Sequence, residues 1–86
     1  ARSSVPPFAV EILLVGENFL GSGKTLLALN FRATFGVTIA AIQRSDALIG
    51  NPLPTELILV GDQLYVIGDN DNIKKLAELL EPPAVS

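Results

Sequence analysis

Two β-prone runs, Glu56 to Val60 and Gln63 to Ile67, are separated by only Gly61-Asp62, and this spacing is the tightest constraint on the fold. A two-residue connection whose glycine can take positive φ predicts a hairpin, so the sheet must contain antiparallel pairing. The other apolar segments fit around it. Phe8 to Val15 is broken only by Glu11 and is rich in Val, Ile and Leu, which predicts a strand with Val10, Ile12 and Leu14 on one face. Leu27, Phe31 and Phe35 recur at spacings of four, with Ala28 beside them, which predicts a core-facing helix from about Lys24 to Phe35. Gly36 closes that helix in a left-handed conformation, and Val37 folds back onto its last turn.

Val37 to Arg44 sets Val37, Ile39 and Ala41 on one face and Thr38, Ala40 and Ile42 on the other, the pattern of a central strand. Ala47 to Gly50 is a short apolar piece. The prolines of Asn51-Pro52-Leu53-Pro54 then forbid a ladder and fix a rigid surface loop. Asn70 or Asp71 caps a final helix with Ile73, Leu76, Ala77 and Leu80 in one stripe, Lys74, Lys75 and Glu78 in water, and Pro82 past its end. The predicted order is β-α-β-β-β-β-α: a small α/β (α+β) domain in which two helices pack on a mixed or antiparallel sheet. Pro-Pro pairs near both ends place the folded unit at 8–80, with 1–7 and 81–86 as linker or tail.

Composition narrows the chemistry. The chain of 86 residues is 49% hydrophobic, enough for one modest core, and without cysteine a domain of this size is expected to gain stability by pairing with a second copy. A net charge of -3 is the wrong sign for a protein that neutralises many phosphates, so a nucleic acid polymer is not an expected partner. No histidine or cysteine is present, which excludes Ser-His-Asp triads and thiolate or imidazole metal sites. No apolar run reaches the roughly 18 residues of a membrane span, and nothing reads as a secretory signal.

Gly21-Ser22-Gly23-Lys24-Thr25 follows a strand and opens a helix, as a nucleotide phosphate loop does. That loop requires a glycine five positions before Gly23. The position holds Asn18, and Gly16 lies two residues too early, so the expected role is structural: Ser22 caps the helix while Gly21 and Gly23 turn the backbone. Glu56 with Asp62 could serve as a carboxylate pair for acid–base work or a hard cation, but a strand start and a turn already explain them. Asp69 and Asp71 complement a helix N-terminus.

Taken together, Glu17 to Leu29 (ENFLGSGKTLLAL), Phe35 to Arg44 (FGVTIAAIQR), Ile49-Gly50-Asn51-Pro52 and Leu59 to Gly68 (LVGDQLYVIG) resemble the TrkA-C, or RCK C-terminal, family over nearly all of 8–80. The resemblance implies a non-catalytic regulatory domain of potassium channels, potassium uptake systems or cation–proton antiporters. It implies a cytoplasmic homodimer at the inner face of the membrane, attached to a transporter or channel subunit. Some members bind a small ligand similar to cyclic di-AMP at the dimer seam, and no cofactor is required. A two-fold ligand suits an isologous interface, because each subunit supplies the same groups to one half.

On that reading Arg44, the only basic side chain near the Asn-Pro loop in the sequence, is the candidate phosphate partner, and Asn51 adds an amide. Ile39, Ala41 and Leu48 offer an apolar surface for a base, and Pro52 holds the loop. The other reading of the same residues is a dimerisation module without ligand. An open, basic-edged cleft around Arg44 and Asn51 favours sensing, and a closed apolar contact favours simple assembly.

Overall fold

In a computed structural model, which describes residues 8–82, the chain runs β1 (Phe8–Leu14), α1 (Leu26–Leu29), α2 (Phe31–Phe35), β2 (Thr38–Arg44), β3 (Ala47–Gly50), β4 (Gln63–Asp69) and α3 (Asn70–Leu80). The strands form one sheet in the order β1-β4-β2-β3, with every pairing antiparallel. The α+β class with helices packed on an antiparallel sheet is the one the sequence predicts. Of the proposed tails at 1–7 and 81–86, residues 1–7 and 83–86 lie outside the described residues, while Glu81 closes α3 with its amide donating to Ala77 O at 3.0 Å.

β4 is the spine of the sheet. Leu64 and Val66 alternate inward and are fully buried, while Tyr65 and Ile67 point to the opposite face. β1 occupies one edge of β4 and β2 the other, which explains why the hairpin expected at Gly61-Asp62 does not form. A strand has two edges, and no third one remains for residues 56–60. That segment instead lies against the chain before α1: Gly23 N donates to Ile58 O at 2.7 Å and Ile58 N to Lys24 O at 2.9 Å. Gly61, with φ of 91°, turns the chain into β4 through a bond from Asp62 N to Leu59 O at 3.1 Å. The tight two-residue hairpin is at Ser45-Asp46, between β2 and β3, where Ser45 takes φ of 52°.

β2 departs from simple alternation. Its register against β4 slips between Ile39 and Ala41, so Ile39 faces Val66 and Ile42 faces Leu64 on the same, helix-covered side. Ala40 is the extra residue of a bulge, and past it Ala41 turns to the opposite face opposite Tyr65. The expected shared face of Ile39 and Ala41 is therefore split between the two sides of the sheet.

The predicted helix at 24–35 is two short helices that meet at Asn30, whose φ of 49° and ψ of 52° are left-handed, a conformation asparagine tolerates better than most side chains. This break interrupts the spacing-of-four stripe. Phe31 is buried and Phe35 half-buried, but Leu27 is 71% exposed. Thr25, not Ser22, caps α1, its Oγ1 accepting from Ala28 N at 3.1 Å. Gly36 closes α2 at φ of 70°, as expected. For α3 the cap is Asp69, one residue before the expected pair, accepting from Asp71 N at 2.8 Å.

Ile73, Leu76 and Leu80 of α3 are buried, and α3 packs on β1 and β4 while α2 reaches β2. With Val15, Phe19, Phe31, Val37, Ile42 and Ile58 they enclose one core on one side of the sheet. The other side carries Val10, Ile12 and Leu14 exposed along β1. A buried leucine of α3 and an exposed one of α1 predict opposite outcomes. Leu76→Ala, at a fully buried position, is expected to lower unfolding free energy by about 3 kcal/mol. Leu27→Ala is expected to change that of the single chain by less than about 0.5 kcal/mol, both read from urea melts at dilutions where copies do not pair.

Candidate functional site

Arg44 ends β2 on the helix side of the sheet, because the bulge at Ala40 inverts the faces beyond it. Its guanidinium reaches the segment before β4. Nε and Nη2 donate in parallel to Asp62 Oδ1 and Oδ2, both at 2.8 Å. Nη2 also donates to Leu57 O at 2.8 Å, and Nη1 to Glu56 Oε2 at 3.3 Å. Asp62 is 1% exposed, the one buried charged residue among the described residues, and its Oδ2 also accepts from Leu59 N at 2.9 Å. Hydrogen bonding to Asp62 is the largest influence on Arg44 and pushes its pKa above the ordinary value despite partial burial, so the guanidinium remains charged.

These bonds settle what Glu56 and Asp62 do: both face one cation, and neither is positioned as an acid–base pair. They also leave Arg44 with most of its donors engaged. Arg44 lies six residues beyond Thr38, about 20 Å of strand.

A groove of about 390 Å³ opens at the start of β2. Leu26, Leu27 and Phe31 of the two short helices form one wall, Pro52 and Pro54 the other, and Ile39 lies between them. Asn30, Arg32 and Thr38 are its polar lining. Asn51 precedes the proline wall in a left-handed conformation, φ 46°, and its amide donates to Ala40 O at 2.9 Å, which fixes the loop at the bulge. The wall is tied to α1 by bonds from Leu27 N to Pro54 O and Leu26 N to Glu56 O, both 2.9 Å. Arg44 therefore grips, through Glu56 and Leu57, the same segment that supports the groove.

Of the six residues expected at a ligand site, Ile39 and Pro52 line this groove and Asn51 adjoins it. Arg44 stands behind its wall, and Ala41 and Leu48 lie on the opposite, open face, Leu48 exposed across from Gln43. Arg32 and Thr38 were not legible as lining residues. Arg32 is distant from the Asn-Pro loop in sequence, and the turn at Asn30 that brings its helix alongside has no composition signal stronger than one asparagine. The Gly21–Thr25 stretch forms no phosphate cradle. The amides of Ser22, Gly23 and Lys24 donate to Phe19, Ile58 and Gly21 carbonyls at 2.7–3.3 Å.

The TrkA-C domain family matches residues 11–81. The chain belongs to this family. The TrkA-C domain here is 44% identical over 54 residues to the Ktr system potassium uptake protein C of Bacillus subtilis, covering 63% of this chain and 24% of that protein. It therefore spans about a quarter of the length of that relative. Its fold superposes on the RCK_C domain dimer of S. agalactiae BusR in complex with c-di-AMP with a TM-score of 0.78 and 29% identity, over 84% of this chain and 95% of that one. The RCK C domain of the potassium transport protein KtrA in complex with cyclic diadenosine monophosphate gives a TM-score of 0.75 and 27% identity, over 83% and 81% of the two chains. Among the described residues of this TrkA-C domain no helix is long and apolar enough to cross a membrane.

Removing one partner of a buried pair strands the other charge. Arg44→Ala is expected to destabilise the TrkA-C domain by about 3 kcal/mol, at the low end for buried pairs because the guanidinium is 29% exposed. Asn51→Gly, which keeps the left-handed backbone, is expected to cost less than about 0.5 kcal/mol. Chemical unfolding of both variants beside the parent chain checks the pair of values.

Proposed function

We propose that this TrkA-C domain is a non-catalytic, cytoplasmic regulatory module of a potassium or other cation transporter or channel, that it pairs with a second copy, and that it senses cyclic di-AMP. The folded unit for this role is 8–80. The observation that carries the reading is the groove between α1–α2 and the Asn51–Pro54 loop: apolar walls, a few polar groups at the rim, and a volume of about 390 Å³, within the range of small-molecule sites. Support comes from the two superposing RCK_C domains, each described in complex with c-di-AMP.

Ile39 and Pro52 supply apolar contact to a base, and Asn51 presents its side-chain amide from a backbone held at the bulge. Arg44 acts from behind by keeping the wall in place. Ala41 and Leu48 do not reach this ligand. Leu27 and Leu53, exposed at 71% and 68% beside the groove, are the apolar surface a partner copy covers. The ligand then lies at the seam, where two-fold symmetry lets each copy hold one half of it. Binding shifts the placement of the two copies only to the extent that the ligand favours one arrangement over the other.

The same exposed leucines would serve a dimerisation module without ligand, and titration separates the readings. Calorimetry is expected to show one cyclic di-AMP bound per dimer, with the dimer mass fixed beforehand by light scattering. Asn51→Gly is expected to weaken binding about tenfold, the value of one hydrogen bond to an anion near 1.5 kcal/mol. A folded dimer that releases no heat leaves assembly as the function.

A further inference from the structure

We infer that Arg32 is the anion-binding residue of this groove, so that the ligand it takes is a phosphate ester carrying a flat, apolar-faced base. The inference rests on the sensing reading above and adds to it the residue that holds the charge. Three observations carry it.

The first is the charge of the lining. Ten residues surround the groove, and Arg32 is the only ionisable one among them, in a chain whose formal charge is -3. A groove without carboxylates on an acidic protein is a local reversal of sign, and it selects an anion over a cation or a neutral solute.

The second is availability. Arg44 gives four hydrogen bonds to Asp62, Glu56 and Leu57. Among the described residues no carboxylate pairs with Arg32, which is exposed, so its planar fork of donors is free to meet phosphate oxygens side by side. A ligand phosphate at Arg44 would have to displace a buried carboxylate. At Arg32 it displaces water.

The third is what surrounds the charge. Thr38, exposed at the first position of β2, brings a hydroxyl into the same lining, and the side chain of Asn30 makes no capping bond to α2, which leaves its amide for a ligand. The same lining holds two proline rings and Ile39, flat or branched apolar faces against which a base can lie. Polar groups at the rim and apolar ones on the walls orient a molecule that is itself divided into polar and apolar parts.

The test uses the 86-residue chain and its Arg32→Gln variant with two probes, cyclic di-AMP and adenosine monophosphate. Binding is followed by calorimetry and by the backbone amide and Arg32 Nε–H resonances in NMR. Arg32→Gln changes an exposed side chain, and an unchanged thermal melt confirms that the variant is folded. The expected result is cyclic di-AMP binding weakened about 10- to 100-fold by Arg32→Gln, with ligand-induced shifts centred on Asn30, Arg32, Thr38 and Ile39.

Equal affinity in parent and variant overturns the assignment of Arg32 while leaving the sensing reading intact. If the parent chain ignores cyclic di-AMP, that ligand is lost from the sensing reading, and adenosine monophosphate decides the inference. Shifts at the groove that vanish in Arg32→Gln uphold it, and no shift at millimolar concentration overturns it.

Discussion

The parallel hydrogen bonds from Arg44 to Asp62 are the interaction on which the arrangement of this domain depends. A carboxylate 1% exposed is stable only if its lost hydration is replaced. Arg44 replaces it with two charge-assisted bonds at 2.8 Å, and the Leu59 amide adds a third at 2.9 Å. One end of this pair is fixed in β2 and the other at the turn into β4, so it clamps the irregular segment between β3 and β4 against the sheet. That segment has no ladder of its own beyond one isolated bridge, Thr25 to Leu57. The chain contains no cysteine to staple it. The ion pair fills that role.

Sequence periodicity made some elements visible and hid others for definite reasons. β4 and α3 were legible because each has an unbroken period, two in one case and 3.6 in the other, and a single buried face. Gly36 was legible because a glycine after an aromatic stripe has few other uses. The bulge at Ala40 was not, since an extra residue in a run of Thr, Ile and Ala leaves the composition of the strand unchanged while it inverts every face beyond it. The failure at Gly61-Asp62 has a different cause. The turn that Gly61 predicts exists, but which strands pair is decided by what already occupies the edges of β4. Local propensity contains no information about that competition.

The candidate site shows the same division. That Ile39 and Pro52 share the groove, with Asn51 beside it, was legible because a proline loop after a β-prone run is conspicuous. The Arg44 pair was not legible, because the partner that engages it, Asp62, is eighteen residues away and its turn is a sufficient local reason for an aspartate. Arg32 was missed for the converse reason: the fold folds it back beside a loop about twenty residues on. Both placements come from long-range packing, which charge spacing along a helix or strand does not predict.

With these corrections the domain has a consistent division of labour. The sheet and α3 form the rigid part, the two short helices and the Asn51–Pro54 loop form the walls of the groove, and the Arg44 pair connects the walls to the sheet. The most direct measurement is therefore cyclic di-AMP affinity, with urea stability alongside, in the double replacement Arg44→Met with Asp62→Leu, which exchanges the ion pair for apolar packing. If Arg44 supports the site without touching the ligand, the double variant recovers most of the stability lost in Arg44→Ala and binds with an affinity within about threefold of the parent. A variant that is folded, dimeric and stable yet no longer binds contradicts the account, because apolar packing at this position then fails to replace what the charged pair does for the site.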